Sequence, residues 1–250
     1  MWIKTTDSIE NVLLEAPLVP ARNHESMRAT LTRGDYESLR EEYQEIQKEP
    51  PTATIGKPDK WTMDEFFAPS ELPREVKSRL DKEDYYLVQL KCSLRPKEGI
   101  PIESAQFSVE LHPDESGRQP IAFDLYPREV VQEVKKTDKV TLSPSLNFTP
   151  AAGIKGDVEW GIEYTSLEPT VYACGDGEPC PTWNYEQVIG VKLQGSKKMF
   201  LVVQAPKGME SMRATLRLVA DLKKGRFKVP VIMHKPEPAK AKPLEVDLLE

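Results

Sequence analysis

The sequence predicts a mainly β chain: an antiparallel β-sandwich, Ig-like in the broad sense of its layers, with a helical N-terminal extension. Three observations predict it. From Tyr85 onward, apolar residues fall at every second position in a series of short runs, the period of a strand with one buried face. Turns rich in Pro, Gly and Asp separate the runs, for example Pro113-Asp114-Glu115-Ser116-Gly117, which is sandwich punctuation. Residues 1–82 have a different texture, with helical spacing and helix-start signals.

The extension (1–82) is justified by its helices. Over Asp35–Lys48, Tyr36, Leu39, Tyr43 and Ile46 share one helical face, Asp35 reads as the N-cap, and Pro50-Pro51 is the stop. A second start lies in Trp61-Thr62-Met63-Asp64-Glu65-Phe66. Thr62 and Glu65 have capping-box spacing, and Trp61 and Phe66 have hydrophobic-staple spacing. Pro69 keeps that helix short, and Leu72, Val76 and Leu80 add a further turn or two.

The sandwich (83–234) is read as about nine strands. Tyr86, Val88, Leu90, Cys92 and Leu94 alternate with polar residues, as do Phe107, Val109 and Leu111, then Ile121, Phe123 and Leu125. Val158, Trp160, Ile162 and Tyr164 stand against Asp157, Glu159 and Glu163. Further runs start at Trp183, Met199, Met212 and Phe227, and the clearest is Met212, Ala214, Leu216, Leu218 and Ala220. Alternation of this kind belongs to antiparallel sheets with one face covered. Pro127 and Pro144 mark edges or corners. The Cys-Trp-Cys core of true immunoglobulin domains is absent, so the term describes layers and no family. The last part (235–250) reads as an extended Pro/Lys linker tipped by Leu244-Glu245-Val246-Asp247-Leu248-Leu249-Glu250.

Two internal echoes stand out. Glu25-Ser26-Met27-Arg28-Ala29-Thr30-Leu31 recurs letter for letter as Glu210-Ser211-Met212-Arg213-Ala214-Thr215-Leu216. Ordinary residue frequencies give such a match in roughly one chain in ten thousand. The flanks do not align, so a tandem duplication is excluded. Equivalent sheet positions, competition of one copy for the other's place, and coincidence of β demands remain. The terminal Leu244–Glu250 peptide also echoes Ile9-Glu10-Asn11-Val12-Leu13-Leu14-Glu15.

The chain has 250 residues and a net charge of −6. It is long enough for a core without disulfides, and its acidic balance argues against non-specific binding to nucleic acid or anionic membrane. No run is long enough for a membrane span, and the start Met1–Asp7 lacks a signal-peptide core, so a cytoplasmic location is expected.

Catalytic signatures are sparse. His24, His112 and His234 lie near no nucleophile motif, and there is no GxSxG, HExxH, P-loop or GxGxxG. His112, at a strand end, reads as a surface histidine before a catalytic one. Cys92 reads as buried. Cys174 and Cys180 bracket a loop that a disulfide would close in an oxidising compartment; free thiols are the simpler reading, and no metal set accompanies them. Gly175-Asp176-Gly177-Glu178 lacks the carboxylate spacing of an EF-hand and reads as a tight turn.

The function expected is a non-catalytic interaction or assembly module, with a protein partner or a second copy and with no cofactor or metal. Docking arms at both ends supply the candidate contacts: Trp2, Leu13 and Leu14, and Leu244, Leu248 and Leu249. The alternative is a hydrolase or carbohydrate-active domain using Asp124, Asp157, Glu159 and Glu163 on the sheet. A third reading is a membrane-active protein whose amphipathic hairpins convert on assembly.

Overall fold

Thr32, and not Asp35, caps the first helix. Its hydroxyl accepts the Asp35 amide (3.2 Å) and donates to the Asp35 carboxylate (2.7 Å). An acid at the third helical position closes a reciprocal cap, so the helix begins at Arg33. The second predicted start is seen as expected, with Glu65 accepting from the amide (2.6 Å) and hydroxyl (3.1 Å) of Thr62.

The structure, a computed structural model, describes residues 11–21, 32–66, 74–130, 136–139, 161–164, 170–187, 192–224, 227–233 and 244–249. Trp2, His24, Trp160, His234, Asp157, Glu159 and the first heptad, 25–31, lie outside them. The elements are β1 (Val12–Pro20), α1 (Arg33–Lys48), β2 (Thr52–Gly56), β3 (Asp59–Thr62), α2 (Met63–Phe66), α3 (Arg74–Lys77), β4 (Glu83–Arg95), β5 (Ile102–Leu111), β6 (Ile121–Tyr126), β7 (Glu129–Val130), β8 (Lys136–Lys139), β9 (Gly161–Tyr164), β10 (Thr170–Cys174), β11 (Thr182–Glu186), β12 (Gly195–Pro206), β13 (Arg213–Lys224), β14 (Phe227–Met233) and β15 (Leu244–Asp247).

The mainly β, antiparallel expectation holds. Two stacked, separate sheets are not what the hydrogen bonding shows. Among the described residues the strands form one 13-stranded sheet with the path β6-β12-β4-β2-β1-β14-β13-β5-β11-β10-β7, plus β15 on β13 and β3 on β4. Strand β1 makes it continuous: Val12–Pro17 pair with β2, and Leu18–Pro20 pair with β14. The sheet is nearly closed into a barrel. Its two ends meet where the β10–β11 turn bonds β6, through Ala122 N to Glu178 O (2.9 Å) and Gly177 N to Ala122 O (2.7 Å). Gly175 (φ 103°) fits that turn, because a Cβ there would lie 2.8 Å from Pro181 Cα.

Residues 1–82 are therefore no separate extension. They supply β1 and β2 in the middle of the sheet path and β3 beside β4, while Leu39, Tyr43 and Ile46 of α1 join the main core. Alternation predicts that core well on β5, on β13 and at the residue just before β13, where Phe107, Val109, Met212, Ala214 and Leu218 are at most 1% exposed. It fails on β4, β12 and β6. Tyr85, Leu87, Phe200 and Val202, the off-phase residues, are also buried, in a second cluster with Met63 and Val76. Helices α2 and α3 bring Met63 and Val76 to it, so these strands are covered on both faces. On β6 the phase is inverted over Ala122 and Asp124, which are buried, while Leu125 keeps its expected place in the core and Phe123 packs edge-on against Tyr85 (5.2 Å). A register shift against β12 between Val202 and Val203 accompanies the inversion.

Strands β8 and β9 form a separate two-stranded sheet. Val130 of β7 faces Val171 of β10, and Lys136 of β8 faces Tyr164 of β9. Six residues along one arm match seven along the other, so the two ladders are offset by a single residue.

Candidate functional site

The second heptad copy holds the C-terminal peptide. Met212, Ala214 and Leu216 are buried by period-two alternation, and β13 is bonded to β5 along Ala214–Leu222. Its other edge carries β14 over Val219–Lys224 and β15 over Arg213–Leu216. In β15, Leu244, Glu245, Val246 and Asp247 face Leu216, Thr215, Ala214 and Arg213 in turn.

Side chains make this docking selective. The Asp247 carboxylate accepts the Met212 amide (3.0 Å), the Leu249 amide (2.8 Å) and the Ser211 hydroxyl. Burial works against its charge, but the Ser211 hydroxyl and the two amides outweigh it and hold the carboxyl below the usual range. The Leu248 amide donates to Met212 O (2.8 Å), and its side chain is 2% exposed. Leu244, Val246 and Leu249 pack on the same core.

The expected contact residues thus divide. Leu244, Leu248 and Leu249 lie against β13 and the core of their own chain. Leu13 and Leu14 belong to β1, where Leu14 faces Ile55 and Leu13 packs on the core. They are part of the sheet and not a free arm.

Beside the tail lies a cleft of about 570 Å³ between the 113–118 turn and residues 208–213, Ser211 and Arg213 among them. Its wall is pinned by Asp114, which accepts from Ser116 N (2.9 Å), Ser116 Oγ (2.7 Å), Arg118 N (2.8 Å) and Arg118 Nε (2.7 Å). The Ser116 hydroxyl leads in lowering its pKa to about 2. His112 sits at the same end, its Nε2 2.7 Å from Thr215 Oγ1. The ring thus ties β5 to β13.

A second polar centre closes the sheet. Asp124, with a side chain 1% exposed, accepts from Arg128 Nε (3.0 Å) and Nη2 (2.7 Å) and from Leu125 N (2.8 Å). Arg128 Nη2 also reaches Asp176 Oδ2 in the β10–β11 turn (2.6 Å). Burial pushes the Asp124 pKa up to about 6 despite Arg128, and its Oδ2 has no hydrogen-bond partner among the described residues. Sequence alternation assigned Asp124 to the polar face; the bulge is what turns it inward.

Of the hydrolase carboxylates, Asp124 is held by this guanidinium. Glu163 lies on β9, and its side chain is outside the described residues. Asp176, read as turn, completes the clasp. Cys174 and Cys180 are free thiols, Cys174 Sγ lying 2.8 Å from Thr182 Oγ1.

No family model matches the chain, and no curated protein matches it. Among solved structures it is similar to one described as a pore forming protein (TM-score 0.37, 10% identity, 80% of this chain and 91% of that one). It is also similar to Clostridium perfringens delta-toxin (TM-score 0.36, 10% identity, 80% and 83%). A third is the Clostridium perfringens NetB toxin in the membrane inserted form (TM-score 0.32, 9% identity, 74% and 86%). Scores of this size do not establish a shared fold.

Proposed function

We propose that this chain is a non-catalytic assembly module, acting through its C-terminal strand within a homo-oligomer or a multi-protein complex. One observation carries the reading. Leu244–Leu249 is held as a peptide ligand is held by strand addition: main-chain pairing supplies affinity, and side-chain requirements at alternate positions supply selectivity. Asp247 adds a charge-specific contact at the end of the docked strand.

The test compares the full chain with one ending at residue 234, by light scattering over a concentration series. Loss of association on truncation supports the reading. An unchanged size distribution rejects it. Removing residues 1–20 is not an equivalent test, because β1 lies within the sheet.

A second reading, a membrane-active protein, has one observation in its favour. The ladders β7–β10 and β8–β9 differ by one residue in register, as in successive parts of one long hairpin. Val158, Trp160 and Ile162 alternate in sequence with Asp157, Glu159 and Glu163, the pattern of a strand with one lipid-facing side. Dye release from phosphatidylcholine vesicles at neutral pH tests it, and intact vesicles dispose of it.

A further inference from the structure

We propose that the seam between β6 and the β10–β11 turn is a latch, which opens as a unit ahead of the rest of the sheet and is released by the charge on Asp124. The proposal goes beyond the assembly reading and does not depend on it.

The seam is a thin joint. On one edge β6 is laddered to β12. On the other, among the described residues, two main-chain bonds join it to the turn, Ala122 N to Glu178 O (2.9 Å) and Gly177 N to Ala122 O (2.7 Å). The neighbouring β12–β4 ladder, by contrast, runs unbroken from Gly195 to Pro206. Local opening follows the joint with the fewest bonds. The remaining tie is Arg128. Its carbonyl accepts the Ala173 amide (2.7 Å) and its Nη2 reaches Asp176 (2.6 Å), so it sits with β10 and the turn. Its guanidinium, half-exposed to water, crosses from there to Asp124 on β6.

Behind the joint lies a carboxylate with one bare oxygen. Asp124 Oδ1 takes all three donors, Arg128 Nε (3.0 Å), Arg128 Nη2 (2.7 Å) and Leu125 N (2.8 Å). Oδ2 is buried and accepts from none of the described residues. A buried oxygen without a donor is unfavourable, and more so when it carries charge. The ionised group is thus held in a place that suits the neutral one. Opening the seam gives Oδ2 to water and removes that cost.

The charged groups acting on Asp124 are Arg128, in the link to β7, and Asp176, in the turn. On β12 it faces Val202, flanked by Phe200 and Gln204, which carry no charge. Glu129 on β7 and Glu178 in the turn are exposed. Burial leads in raising the Asp124 pKa to about 6; Arg128 opposes the rise and Asp176 adds to it. In the open form the group returns to an ordinary value near 4. The closed form therefore holds the proton more tightly, so closure is strongest in acid and weakens as pH rises through about 6. With these two values the opening equilibrium grows roughly tenfold from about pH 5 to about pH 7.5. Opening leaves the Ala122 N–H and C=O on an unpaired strand edge, which can take an added strand. The latch thus sets when β6 offers that edge.

Amide exchange on the full chain tests it. Exchange at Ala122 and Gly177 is divided by the intrinsic rate at each pH, with the β5–β13 ladder as reference. The expected result is a roughly tenfold rise in opening at the two seam amides over that range, with the reference ladder flat. Asp124→Asn should abolish the rise. Asp176→Asn should keep it but move its midpoint to lower pH, since Asp176 raises the Asp124 pKa. Four results would overturn the latch. The seam amides show no rise; the β5–β13 ladder shares it, which makes the event global; or Asp124→Asn keeps it. The fourth, an unmoved midpoint in Asp176→Asn, overturns it even where the Asp124 variant does not fold.

Discussion

The Leu248 amide donates to the Met212 carbonyl at 2.8 Å, and one residue earlier Asp247 accepts the Met212 amide at 3.0 Å. The tail thus satisfies both main-chain groups of the residue just before β13, with its own backbone on one side and a carboxylate on the other. A buried leucine completes the contact.

Leu248→Ala should weaken docking by about 2 kcal/mol or more, in line with truncation of a buried leucine. The loss should be local. Hydrogen exchange at Ala214–Leu216 and Leu244–Leu249 should rise by roughly thirtyfold, with β4 and β12 unaffected.

Asp247 makes docking sensitive to acid. Its folded pKa lies below the ordinary value, with burial opposing and the Ser211 hydroxyl and the Leu249 and Met212 amides prevailing. A depressed carboxyl stabilises above its unfolded pKa, near 4, and that contribution is lost as pH falls through the folded pKa. Tail protection should fall below about pH 4 and be flat in Asp247→Asn, as limited proteolysis after residue 233 would show.

The clasp behaves in the opposite sense. Burial raises the Asp124 pKa to about 6, so its contribution is present below pH 4 or so and is lost as pH rises through about 6. The melting difference between wild type and Asp124→Asn should therefore shift in the variant's favour across that interval. Arg128→Ala leaves Asp124 without its guanidinium and should cost about 2 kcal/mol at pH 7, less than for a fully buried pair because Arg128 is half exposed. That cost should shrink at pH 5, where Asp124 takes up a proton.

Gly175→Ala tests the turn that joins the sheet's two ends. A positive φ and a Cβ 2.8 Å from Pro181 Cα should together cost about 1–3 kcal/mol, read in thermal melts. Gly117→Ala, with φ +80° but open space around it, should cost less.

Much of this fold is legible in the sequence where one face of a strand is buried. Phe107, Val109, Met212 and Ala214 fall on the core side because the period of a strand is two. Leu87, Phe200 and Val202 break that logic, since α2, α3 and β3 cover the second face. The continuous run Met199–Val203 was the available signal. Asp124 was misassigned because a bulge changes phase without leaving a mark in composition. The second heptad was visible as a repeat, but its role as the receptor for Leu244–Leu249 depends on long-range register that one sequence does not encode locally. Leu13 and Leu14 illustrate the same limit: they match the tail in letters and differ from it wholly in placement.

The most direct measurement is sedimentation of the full chain and of Leu248→Asp from about 10 µM to 1 mM. The account predicts self-association that grows with concentration in the wild type and is lost in Leu248→Asp. Identical distributions for the two proteins, dimeric or not, would contradict it.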